Sequence, residues 1–176
     1  MYVGTQVAAR DDQDFRMWAQ LGVNNVCSDP GGNPHDWTLQ DLKDHREKVE
    51  SYGLTLDMVQ LPLSSTPLDR SQSPNIMLGK SPERDSEIES IQNLVRNVGE
   101  AGIPAVKYNM NIIGIPRSER EPGRGGSSNS TFRWSKMDQD EAPGFWGEVD
   151  LDANGERIDY YRERLVPVAR VPCHFK

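Results

Sequence analysis

The sequence predicts an α/β fold of parallel (β/α) repeats, and three stretches built alike carry that prediction. Gln20-Leu-Gly22 leads into Val23-Asn-Asn-Val26-Cys-Ser-Asp29, Ser51-Tyr-Gly53 into Leu54-Thr-Leu-Asp-Met-Val-Gln60, and Ala101-Gly102 into Ile103-Pro-Ala-Val-Lys-Tyr-Asn109. In each, an amphipathic segment stops at Gly, a short apolar run follows, and polar side chains close the run. Gly suits the left-handed position just past a helix, and Pro104 cannot continue one. Helix, Gly and strand repeating in phase argue for parallel strands joined by right-handed helical crossovers. Polar residues at the carboxyl end of a buried strand are where α/β folds place ligand chemistry, which singles out Lys107, Tyr108, Asn109 and Asn111.

Bulk properties narrow the function. The chain has 176 residues, enough for one ordinary domain with a real core. Its net charge is −7, from 27 acidic and 20 basic residues, which argues against a nucleic acid partner, because phosphate binding needs a basic face. No apolar run approaches a membrane span. The chain opens with no basic region followed by an apolar stretch, so no signal peptide is expected and a cytoplasmic location is. Cys27 and Cys173, the two cysteines, are expected as free thiols.

In chain order, residues 2–7 read as strand one. Asp11 or Asp12 caps the next helix, whose buried face is Phe15, Trp18 and Leu21. Residues 23–27 form strand two. A turn-rich loop over residues 28–36 carries His35, expected to be solvated. Thr38-Leu-Gln-Asp41 reads as a capping box, and Leu39, Leu42, Val49 and Tyr52 form the apolar stripe of the helix that follows. His45 in that helix is expected at the surface. Residues 54–61 form strand three. Residues 63–80, rich in Ser, Pro and Asp, read as a long loop. Ser81-Pro82 reads as a helix start with Ser as the cap. Ile88, Ile91, Leu94, Val95 and Val98 line the buried face of that helix, expected to be the longest in the chain and to stop at Gly102.

After strand four the pattern changes. Residues 112–154 show no sustained helical period and read as an excursion from the top of the strand, containing Arg117, Arg120, Arg124, the Gly123-Arg-Gly-Gly126 run and Phe132, Trp134, Phe145 and Trp146. The Gly-rich run lacks the P-loop spacing and its Lys. Asp150-Leu-Asp-Ala-Asn-Gly155 matches the first half of a calcium loop, but the twelfth position is Tyr161, which cannot supply the bidentate carboxylate. The plainer reading is an Asn-Gly turn between extended pieces. Ile158, Tyr161, Leu165 and Val168 mark a fourth helix, with Pro167 inside it.

Four strands and four helices fit either a small open α/β domain or part of a (β/α)₈ barrel, which needs eight of each. Several ordered segments choose between them. Glu100-Ala-Gly-Ile-Pro-Ala-Val-Lys-Tyr-Asn109, the Gly123-Arg-Gly-Gly126 loop leading to Phe132-Arg-Trp134, and Arg164-Leu-Val-Pro-Val-Ala169 together resemble the N-terminal half of the mannonate dehydratase family, xylose-isomerase-like TIM barrels. Trp37-Thr-Leu-Gln-Asp-Leu42 and Val49-Glu-Ser-Tyr-Gly-Leu54 look like the family's second helix and third strand.

The resemblance implies a fold of parallel (β/α) repeats forming about half of a TIM barrel over residues 1–170, with residues 171–176 a truncated tail. It implies a lyase that converts D-mannonate to 2-keto-3-deoxy-D-gluconate and water in hexuronate catabolism, with Mn²⁺ or Fe²⁺. It places Tyr108, Asn109 and Arg124 as substrate-binding residues and His174 as a metal ligand. No catalytic residue is assigned. One departure stands out: the Pro-Asp that follows the family's first metal histidine is missing after His174. The remaining ligands belong to later strands of the family, so this chain alone is expected to have little activity. Its expected partners are a small sugar-acid substrate and either a second copy or a complementary half-barrel. Two alternatives are a metal-dependent sugar isomerase or epimerase of the same superfamily, and a non-catalytic half-barrel that acts by association.

Overall fold

Four short strands lie side by side in chain order in a computed structural model that describes residues 2–66, 70–109, 115–137 and 151–170. They are β1 (Gly4–Thr5), β2 (Asn25–Cys27), β3 (Thr55–Gln60) and β4 (Ala105–Lys107), all parallel, in the order β1-β2-β3-β4. Parallel neighbours need a crossover. Here it is α1 (Asp12–Gln20) between β1 and β2, and α2 (Leu39–Glu50) between β2 and β3. Between β3 and β4 run α3 (Pro74–Leu78) and α4 (Glu83–Glu100). A sequential order of this kind is that of barrel strands. Among the described residues nothing pairs with the outer edge of β1 or β4, so the sheet is open.

The core lies between the helices and one face of the sheet. Val26, Leu56 and Val59 supply the sheet side, and Phe15, Trp18, Leu42, Val49, Ile91 and Val98 the helix side. Leu42 and Val59 are completely buried, and each contributes about 1.5–3 kcal/mol by leaving water. The β2–β3 register slips after Val26: Val26 pairs with Leu56 but Cys27 with Met58, leaving Asp57 unmatched. That bulge lets Leu56 and Val59, three residues apart, both reach the core, and it sets Met58 and Gln60 on the opposite face with Cys27 and Lys107.

The helix starts follow local chemistry. Asp11 caps α1 by accepting from Gln13 N at 2.8 Å. Thr38 Oγ1 accepts from Asp41 N at 3.2 Å while Asp41 Oδ2 accepts from Thr38 N at 2.9 Å, the reciprocal pair expected of a capping box. At the far end of α4, Gly102 takes φ +75°, and Arg46 Nη1 donates to Ala101 O at 2.9 Å, satisfying a carbonyl that the helix leaves open.

Several expectations need correction. Leu21 is 73 % exposed, because α1 ends at Gln20 and its cap residue turns away from the buried stripe. The long loop before α4 contains α3, where Ile76 and Met77 are buried and Glu87 holds the start of the helix by accepting from Ile76 N at 3.0 Å. Ser81 is not the cap of α4. Pro82 occupies that position, and Ser81 Oγ donates to Asp85 at 3.1 Å. The longest helix is α5 (Leu151–Ala169), at 19 residues against 18 for α4. It takes in Asn154-Gly155, so the expected Asn-Gly turn is one turn of helix, and the calcium-loop conformation does not form there. Tyr161 and Leu165 seat α5 in the core, and α5 packs on α4.

Within the expected excursion, residues 115–137 hold a small hairpin, β5 (Glu121–Pro122) against β6 (Ser128–Asn129), joined by a 3-10 turn at Arg124–Gly126. Arg133 and Lys136 both reach Glu121, at 2.7 and 2.9 Å, and hold its carboxyl down at about 2. Phe145, Trp146, Asn111, Cys173 and His174 lie outside the described residues.

Candidate functional site

The carboxyl ends of the four strands gather one polar residue each. Gln6 follows β1, Cys27 ends β2, Gln60 ends β3 and Lys107 ends β4. Gln60 and Lys107 are register partners, and Cys27 is opposite Met58, so these positions share the face away from the helices. Lys107 Nζ donates to Gln6 Oε1 at 2.6 Å, a bond between residues 101 apart that ties the first strand end to the fourth. Among the described residues Gln6 is the one hydrogen-bond partner of this ammonium. Gln60 Nε2 donates to Leu61 O, Leu63 O and Lys107 O at 3.1–3.3 Å. It fastens the turn after β3 to β4.

Beneath this row, burial pushes the Cys27 thiol pKa up, the nearby Lys107 charge pulls it down, and Asp29 raises it again. Ser28 is buried and contacts His45 Nε2 at 3.2 Å. His45 is therefore not a surface residue. It is half-buried behind β2, and burial lowers its pKa below the ordinary histidine value. His35 is likewise engaged. Its Nδ1 lies 2.9 Å from Ser90 Oγ and its Nε2 3.1 Å from Ser73 Oγ, which ties the loop after β2 to α4 and to the segment before α3.

Tyr108 and Asn109 stand together just past β4. Tyr108 is 37 % exposed, and its ring meets Tyr161 edge-on with centroids 5.6 Å apart. Asn109 N donates to Leu63 O at 2.8 Å, which leaves its partly buried side chain for other contacts. Arg124 lies in the exposed hairpin turn, and no hydrogen bond or ion pair among the described residues ties it to β4. Among the described residues no three His, Cys, Asp or Glu side chains gather as a metal site. With both described histidines held by serines, these residues do not fit a Mn²⁺ or Fe²⁺ centre by themselves. No helix among them is long and apolar enough to cross a membrane.

The family model described as D-mannonate dehydratase (UxuA) matches residues 14–166, which include α2, α3 and α4, all but the first two residues of α1 and the last three of α5, and three of the four parallel strands. The chain belongs to the D-mannonate dehydratase family. Mannonate dehydratases of Streptococcus pneumoniae (strain 70585) and Streptococcus suis (strain 05ZYH33) are each 30 % identical to it over 138 residues, 73 % of this chain and 35 % of theirs. The crystal structure of mannonate dehydratase from Streptococcus suis serotype 2 superposes with a TM-score of 0.74 at 22 % identity, over 96 % of this chain and 50 % of that one. This likeness shows the fold. The chain thus spans about a third of the length of these curated relatives and half of the solved chain.

Lys107 was visible in the sequence as part of a polar strand end, whereas Gln6 was not, because nothing local distinguishes it from any residue of strand one. The signal that finds it is the parallel register, which puts the end of β1 within a side chain's reach of the end of β4.

Proposed function

We propose that this chain forms the substrate-binding wall of a mannonate dehydratase barrel, taking part in the conversion of D-mannonate to 2-keto-3-deoxy-D-gluconate and water. The observation that supports this best is the row of four polar strand ends, in barrel order, in a chain of this family. The reaction removes a proton from the carbon beside the carboxylate and hydroxide from the next carbon. The two leave as water, and the resulting enol tautomerises to the keto acid. Negative charge builds on the carboxylate as the proton departs, so the site must bind that end of the substrate more tightly as the reaction proceeds.

In this reading Tyr108 and Asn109 face the sugar hydroxyls, and Arg124 is a candidate for an anionic group through its planar fork. A divalent metal, Mn²⁺ or Fe²⁺, would be held with ligands from outside the described residues, His174 among the candidates. A cytoplasmic location accompanies this reading. The open edges at β1 and β4 call for cover by a second copy or a complementary half-barrel.

The test is the formation of keto acid from D-mannonate with Mn²⁺, by the purified chain and by the chain mixed with the second half of a related dehydratase. Little or no turnover is expected from the chain alone, and turnover from the mixture. Steady metal-dependent turnover by the chain alone would contradict the half-barrel reading. A mixture that assembles but dehydrates no mannonate would contradict the assigned reaction.

A further inference from the structure

We propose that Lys107, positioned by Gln6, is the cation that binds the carboxylate of a sugar acid at the strand ends. This rests on the mannonate dehydratase reading and deepens it, since the family assignment does not say which group of this chain receives the substrate's charged end.

Four observations carry the inference. Lys107 ends β4 on the open face of the sheet, at the end of the parallel strands where ligands of such folds bind. The residue is partly buried, and its ammonium is held at 2.6 Å by an amide oxygen rather than by a carboxylate. In a chain with 27 acidic residues, a lysine that bonds to glutamine and, among the described residues, makes no ion pair has no carboxylate competing with a ligand for it. An ammonium has three N–H donors and Gln6 uses one, so two remain for the two oxygens of a carboxylate.

The surrounding residues also suit a sugar acid. Tyr108 and Asn109 follow directly in the chain with hydroxyl and amide groups, and Gln60 fixes the β4 backbone from the neighbouring strand. The Cys27 thiol beside Lys107 is neutral at physiological pH and adds no competing charge: burial raises its pKa more than Lys107 lowers it. Arg124 is set differently. It sits on an exposed hairpin turn that no bond among the described residues joins to β4, so it lacks the fixed geometry that makes a binding group selective. The net charge of −7 repels an anion at long range, so a local cation is what would draw one to this end of the sheet.

The experiment is a titration of the full 176-residue chain followed by ¹H–¹⁵N NMR, with D-mannonate, D-gluconate and uncharged D-mannose as probes. It is repeated on Lys107→Met, Lys107→Arg and Gln6→Leu. Lys107 and Gln6 are not core residues, so the variants are expected to keep the wild-type spectrum elsewhere, and circular dichroism checks it. The expected result is that D-mannonate shifts the amides of Gln6, Cys27 and Lys107 while D-mannose does not. Lys107→Met should weaken that binding by about tenfold or more, the effect of losing a charge-assisted hydrogen bond. Lys107→Arg should restore most of it, and Gln6→Leu should weaken it less than Lys107→Met.

If D-gluconate but not D-mannonate binds in a Lys107-dependent way, the carboxylate site stands and the mannonate reading falls. If D-mannonate binds equally well to folded Lys107→Met, the inference is overturned while the mannonate reading survives. Binding of neither acid to the wild-type chain also overturns it.

Discussion

Replacing Tyr161 by Phe should make this protein more stable. Tyr161 is completely buried, and among the described residues its hydroxyl has no hydrogen-bond partner. Burial raises the phenol's pKa above its ordinary value, with Tyr108 adding to the effect, as expected of a group that has lost water and gained no donor. An unsatisfied buried hydroxyl costs about 1–3 kcal/mol. Removing one oxygen forfeits only a few tenths of a kcal/mol of contact, on the order of what a handful of atom pairs supply. The ring keeps its edge-on contact with Tyr108 and its place between α5 and the core. The expected gain is therefore about 1–2 kcal/mol, or roughly 2–8 °C in Tm for a domain of this size. Urea unfolding followed by circular dichroism measures it, with an unchanged m-value showing that the same surface is exposed. A loss of about 1 kcal/mol or more would mean that the hydroxyl finds a partner in solution, and the reasoning would fail. Tyr160, one residue earlier, supplies the contrast: its hydroxyl donates to Asp85 Oδ1 at 2.8 Å, so Tyr160→Phe should destabilise.

Two further outcomes follow from the same geometry. Gly102→Ala should cost roughly 2 kcal/mol in urea unfolding, because φ is +75° and a Cβ there would meet the Arg46 Nη1 that caps Ala101 O; a neutral result would show that the backbone at the end of α4 relaxes freely. Burial lowers the His45 pKa below 6.5, so its contribution to stability is complete above that pH and is lost as pH falls towards the folded value; unfolding free energy should decline from pH 7 to 5.5 in the native chain and decline less in His45→Gln, and equal slopes would refute the assignment.

Much of the fold could be read locally. The three Gly stops appear as left-handed residues, Gly22 at φ +79°, Gly53 at +75° and Gly102 at +75°, because that conformation is written in a single residue. The α4 stripe was legible because five apolar residues keep one period and all five are buried. What failed depends on contacts distant in the chain. Residues 74–78 look like loop because their helix is too short to stand alone and is held by Glu87 from α4. His45 looks like surface because its helix is otherwise charged, yet β2 brings Ser28 against it. Asn154-Gly155 has strong turn chemistry, but α5 is anchored downstream by Tyr161 and Leu165 and extends back through it. In the candidate site, Tyr108 and Asn109 were legible as a polar strand end. The link from Lys107 to Gln6 was not, because it exists only once four strands have aligned.

If these repeats make an open portion of a barrel, its outer strands need covering. Light scattering on the purified chain across a range of concentrations tests it most directly, alongside circular dichroism. The expected result is a folded dimer or larger assembly, or a chain that becomes discrete only with a complementary half. A well-folded monomer that persists as concentration rises would contradict it, since β1 and β4 would then be stable without a partner chain against their edges.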